Sequence, residues 1–173
     1  MTVLKEENSI YLILIIFLTV ASYTDLKYSK VYNIWILAAS VPAIYINTYK
    51  FFIWAGISIV CSFILYVCRM VAAGDIKLVA YIYGLLGPSS AGKVLLISLS
   101  IAAIYALYFL LSKKILYPRL IYFKEYLCKC IKSKSIYEYY NSKKDDRSLT
   151  MPLSQWFLIG SIVWRVCKLC IMM

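Results

Sequence analysis

Long apolar blocks along the chain are separated by short polar interruptions, at the spacing of membrane helices. Residues 10–24 are mostly apolar, and Asp25-Leu26-Lys27-Tyr28-Ser29-Lys30 then breaks the run with charge. A second segment covers 31–46, where Pro42 is expected to kink the helix, and 47–50 form a short turn. A third runs over 51–70 and carries no charge until Arg69. A short fourth segment, 76–86, is closed by Gly87-Pro88-Ser89-Ser90. Lys93 opens the fifth over 94–111, and the sixth runs from 153 to about 166. A spanning helix takes about 20 mostly apolar residues, within a range of about 17–25. The pattern therefore predicts an all-α, polytopic membrane helix bundle of about six transmembrane helices. One integral membrane domain over 1–173 is expected, without internal repeats or a separate soluble domain.

Composition supports the membrane reading. The 173 residues are 63% hydrophobic with a mean hydropathy of +0.77, against about 45–50% apolar residues in soluble domains. The first nine residues hold Lys5, Glu6 and Glu7 in place of a positive n-region, so no secretory leader is expected. Charge then sets the orientation. The net charge is +11, and ten of the nineteen Lys and Arg fall within 112–150. In an apolar chain this block reads as a cytoplasmic loop under the positive-inside rule rather than as a nucleic-acid surface. With the N-terminus outside, inner segments carry fourteen Lys and Arg and outer ones three, which predicts N-out and C-out. Arg165 and Lys168 are set aside, since they can snorkel to an interface from the last helix. Within the basic loop, Leu120, Phe123, Leu127 and Ile131 recur at helical spacing among Lys124, Lys129, Lys132 and Lys134. That spacing predicts an amphipathic helix on the inner leaflet. Residues 137–147 are polar and tyrosine-rich and are expected to be mobile.

Candidate chemistry narrows quickly. Histidine is absent, which excludes Ser-His and Cys-His catalysis, His-ligated metals and imidazole relays. Cys167 and Cys170 have a redox-like spacing but lie in an apolar segment, and two cysteines do not complete a zinc site. The six cysteines read as small hydrophobes or idle thiols, and neither a metal nor a cofactor is expected. Of the eight acidic residues, Glu6 and Glu7 lie at the N-terminus, and Glu125, Glu138, Asp145 and Asp146 in the basic loop. Only Asp25 and Asp75 belong to the membrane body, where ionisable groups are costly and mark function. Asp25 ends the first segment and Asp75 opens the fourth, so both fall on the inner face. Gly74, with Ala72 and Ala73 before it, allows substrate or a neighbouring helix to approach closely. Two carboxyls sharing one proton can divide the labour of hydrolysis. The ionised one takes a proton from water, and the protonated one donates to a peptide carbonyl.

These residues resemble a known family. Ala72-Ala73-Gly74-Asp75-Ile76-Lys77-Leu78 is similar to the Gly-x-Gly-Asp-x-Lys-Leu motif of type IV prepilin peptidases, with Ala72 at the place of the first glycine. Asp25-Leu26-Lys27-Tyr28-Ser29-Lys30-Val31-Tyr32-Asn33 resembles their first motif, in which an Asp precedes basic residues and then Ile-Pro-Asn; Tyr32 stands at the place of the proline. Met151-Pro152-Leu153, with Gly160 beyond it, resembles the start of their last helix. The larger members carry an additional N-terminal region with paired cysteines; without that pattern in these residues, the resemblance is to the short, peptidase-only members that serve Tad-type or competence pili, and a peptidase-only protein is expected. The resemblance implies an aspartic endopeptidase that removes the leader of a prepilin-like protein after a glycine. It also implies work at the cytoplasmic face of a prokaryotic cell membrane, with the lipid bilayer as partner and no nucleic acid. By the same resemblance Asp25 and Asp75 are the catalytic pair, and Lys30, Asn33, Gly74 and Lys77 are supporting candidates.

Two other readings remain at the level of sequence. A small carboxylate-dependent ion or proton-coupled transporter would also use intramembrane aspartates, though normally nearer the midplane and beside broken helices. A non-catalytic pilus-assembly membrane protein would be a pseudo-peptidase weakened by Ala72.

Overall fold

A backbone in hydrocarbon must satisfy its N–H and C=O groups internally, and a helix does so within one segment. The structure, a computed structural model, describes residues 2–28, 30–68, 71–133 and 152–172, with side chains described between 8 and 170. Arg69, the stretch 137–147, Glu138, Asp145, Asp146 and Met151 lie outside the described residues, as do the side chains of Lys5, Glu6 and Glu7. Among the described residues there are five helices and no strand: α1 (Thr2–Tyr28), α2 (Asn33–Val67), α3 (Ala73–Ser112), α4 (Leu116–Ser133) and α5 (Ser154–Met172). Among the described residues, three helices are long and apolar enough to cross a membrane, within α1, α2 and α3.

Two of these helices are interrupted. Thr48 (φ 43°, ψ −124°) breaks α2 and Gly87 (φ 73°, ψ 170°) breaks α3, so each consists of two legs. The first break falls inside the predicted 47–50 turn and the second at the predicted Gly-Pro turn. Pro42, expected to kink the second segment, lies inside the first leg of α2, and the non-helical residue is Thr48 instead.

Side-chain contacts set the direction of each leg. Asn33 meets Lys77, Ala39 meets Tyr81 and Asn47 meets Leu85, so the first legs of α2 and α3 run parallel. The Trp164 indole N–H donates to the Tyr11 hydroxyl at 3.0 Å, and Ser154 meets Asp25, so α5 runs antiparallel to α1. Tyr105 stacks on Trp156 and Lys93 lies over Trp164, so the second leg of α3 runs antiparallel to α5. The end of α1 and the starts of α2, α3 and α5 therefore meet at one end of the bundle.

Leu14 and Leu18 of α1, Leu78 and Ile82 of α3, and Phe157 of α5 form the centre of the core. Helices cross closely at glycines. A Cβ on Gly84 would lie 2.7 Å from the Phe51 ring, and one on Gly160 would lie 2.8 Å from the Ser98 backbone. In lipid such small-residue crossings hold helices by dispersion and fit, because the surrounding tails are as apolar as the core. The outward faces fit the same solvent: Tyr45 is 90% exposed and Val60 72%.

Several sequence expectations need correction. The charged stretch after residue 24 does not end the first helix, which continues through Tyr28 with Lys27 in its last turn. A cation there complements the partial negative charge of the helix end, so the helix runs on. The last helix extends beyond 166 to Met172. Arg165 does not snorkel: it is buried, with its guanidinium 4.9 Å from the centre of the Tyr11 ring. The antiparallel docking of α5 on α1 places it against that aromatic face, a favourable cation–π arrangement.

Candidate active site

Asp25 stands in the last turn of α1, half-buried, and its Oδ2 accepts a hydrogen bond of 2.6 Å from the Ser154 hydroxyl. Ser154 is fully buried and is the first residue of α5. A serine at a helix start usually caps the helix by accepting from a backbone N–H. Here Trp156 and Phe157 donate their backbone N–H groups to the Leu153 carbonyl, and the Ser154 hydroxyl donates to the carboxylate.

Asp75 stands in the first turn of α3, half-buried, with its backbone N–H donating to the Ala72 carbonyl at 3.1 Å. Asp25 ends α1 and Asp75 begins α3, two helices that pack on each other through Phe17 and Tyr81. The fold thus brings the two sequence-selected carboxylates to the same end of the bundle.

The supporting candidates divide. The Lys77 ammonium donates to Asn33 Oδ1 at 2.6 Å, which ties the first turn of α2 to that of α3. This bond goes to an amide oxygen and not to a carboxylate. Gly74 lies against the α1–α2 connection: a Cβ there would be 3.3 Å from Val31 Cγ2. Lys30 is exposed in that connection.

The two departures from the family motifs have local explanations. Ala72 is exposed and extended at φ −73° and ψ 150°, a conformation open to any residue, so its methyl group meets no backbone penalty. Tyr32, the residue before α2, has φ −74°, within the range that proline imposes. The backbone keeps the proline-like geometry without the proline.

Ser154 is the functional candidate that sequence reasoning missed. It follows directly on the Met151-Pro152-Leu153 motif, and a serine at the predicted start of a helix next to that motif was the available signal. Its partner lies 129 residues away, a separation that spacing arguments do not bridge.

The sequence model of the type IV leader peptidase family matches residues 12–107. The match takes in Asp25 and Asp75 and ends in the second leg of α3, leaving out α4, α5 and Ser154. No curated protein and no solved structure matches the chain. With more than half of its length matched and helices suited to a bilayer, the chain belongs to the type IV leader peptidase family.

Proposed function

We propose that this protein is a membrane-embedded aspartic endopeptidase that removes the leader peptide of prepilin-like proteins at the cytoplasmic membrane face. The observation that carries the reading is the convergence of Asp25 and Asp75 at one end of the bundle, within the family match. In this reading the interrupted α2 and α3 each cross twice, giving six crossings with the N-terminus outside. The loop charges then put the carboxylates on the cytoplasmic side.

Ser154 favours one division of roles. A hydrogen bond donated to a carboxyl stabilises its ionised form, so Asp25, which accepts from Ser154, is the base in this reading. One oxygen is fixed by the hydroxyl and the other is left to take a proton from water. Asp75 holds the shared proton and donates it to the peptide carbonyl as water attacks. Collapse of the tetrahedral intermediate returns a proton to the leaving amine, and no covalent intermediate forms. Lys77 and Asn33 hold the starts of α3 and α2 together.

The position of the carboxylates weighs against a transporter, since both lie in terminal helix turns and not midway along a span. The exposed, unstrained Ala72 weighs against a pseudo-peptidase. Co-expression with a prepilin, followed by gel analysis of leader removal, tests the proposal. Asp25→Asn and Asp75→Asn each abolish processing while the protein still accumulates in the membrane; full processing by both variants refutes it.

A further inference from the structure

The amphipathic helix α4 and its junction with α3 have no part in the hydrolytic mechanism. The junction, Lys113-Lys114-Ile115, turns sharply, and Lys114 takes a positive φ of 55°. A groove of about 330 Å³ opens there, lined by Leu111, Lys114, Leu116, Tyr117 and Leu120. Its walls are apolar or aromatic, its only charge is a cation, and it begins where a candidate membrane span ends.

The helix continues the same chemistry. At 100° per residue, Leu116, Leu120, Leu127 and Ile131 form one narrow stripe, flanked by Lys124 on one side and Arg119 on the other. Leu120 is 57% exposed and Ile131 75%, so the stripe is not buried against the bundle. A different face meets the protein: Tyr126 is buried, with its hydroxyl beside Cys68 at the end of α2 and Cys130 of α4 itself. One side of α4 thus docks on the bundle, a second is apolar and open, and cations border the open side.

We propose that the α3–α4 junction and the open stripe of α4 form a binding site for anionic phospholipid. The groove takes the upper acyl chain, Lys113 and Lys114 hold the phosphate, and Lys124 and Arg119 reach other headgroups as the stripe enters the leaflet. Tyr126 links this lipid contact to the end of α2, next to the connection that leads to Asp75. The inference rests on the membrane reading above, and its assignment to the cytoplasmic leaflet rests on the proposed orientation.

The test places the full chain in nanodiscs of phosphatidylcholine, with or without phosphatidylglycerol, and measures hydrogen exchange across 116–133. Exchange is expected to be slower in the anionic discs. Lys113→Gln combined with Lys114→Gln reduces that slowing by roughly thirty-fold, since each cation near an anionic surface contributes a several-fold preference. Lys124→Gln, on the exposed flank, provides a second variant with a smaller loss in the same direction. Equal exchange in both discs, or an unchanged difference in the lysine variants, overturns the proposal. So does equal slowing by glycerol phosphate added to neutral discs, which would assign the groove to a free phosphate. Exchange is read without cleavage, so a chain that cuts no prepilin yet keeps the lipid difference supports the site while failing the peptidase reading.

Discussion

The two ends of the bundle both contain helix termini, but their polar groups serve different ends. Away from the aspartates, the Asn47 amide donates to the Leu85 carbonyl at 2.6 Å and reaches the Gly84 carbonyl at 3.4 Å, just before the break at Gly87. Helix ends leave carbonyls without intrahelical partners, and here a side chain answers that need. Lys50 and Lys168 line a small cavity of about 160 Å³ at the same end. At the aspartate end the pattern reverses. The Ser154 hydroxyl goes to a carboxylate and the Lys77 ammonium to a side-chain amide, so these bonds satisfy no backbone group. The Asn47 side chain answers backbone carbonyls beside the break in α3, whereas Ser154 and Lys77 hold other side chains beside the first turns of α5 and α3. On the proposed mechanism, the second arrangement is the one that positions the chemistry.

Substitutions at the two ends should therefore separate activity from stability. The largest effect is expected at the carboxylates: Asp25→Asn or Asp75→Asn lowers the rate of prepilin processing by at least about 10²–10⁴-fold, the range of acid–base catalysis, without lowering the melting temperature in detergent. Ser154→Ala follows. It removes a hydrogen bond to a charged group, and the processing rate in purified enzyme falls by about ten- to a hundred-fold, mainly in kcat. At the opposite end, Asn47→Ala removes the side-chain hydrogen bond to the Leu85 carbonyl and costs about 0.5–1.5 kcal/mol, seen as a lower melting temperature with kcat preserved. Thr48→Gly acts in reverse: it relieves a positive-φ conformation rarely adopted by threonine and raises stability by about 1 kcal/mol. The smallest effect is expected at Ala72→Gly, which restores the motif residue yet leaves the processing rate within about two-fold, as for an unstrained surface position. A large loss of activity at Asn47, or a large loss of stability at Asp75, would erase the distinction between the ends.

The sequence made the helices legible but not their ends. Apolar runs located α1, both legs of α2 and of α3, and α5, and among the described residues α1, α2 and α3 contain stretches long and apolar enough to cross a bilayer. The amphipathic period of α4 was equally readable, and the helix is present over Leu116–Ser133. Charge was a poor guide to termination: Asp25 and Lys27 lie within α1, because a helix leaving the hydrocarbon can continue into water. Pairwise contacts between distant segments were not readable at all. That Asp25 and Asp75 share an end followed from counting alternating segments, whereas Ser154 on Asp25 and Arg165 on Tyr11 depend on the rotation of α5 about its own axis. The close crossing of Gly160 on Ser98 accompanies that rotation, and no local pattern encodes it.

The hydrogen bond from α5 to α1 also has a consequence for biosynthesis. Ser154 follows Asp75 by 79 residues in the chain, roughly 4–16 s of translation at usual rates. During that interval a nascent chain holds both aspartates in inserted helices but lacks the hydroxyl that orients Asp25. On the proposed mechanism, proteolytic competence arrives only when the last helix enters the membrane, and a truncated product left by stalled synthesis is a weak enzyme rather than an unregulated one.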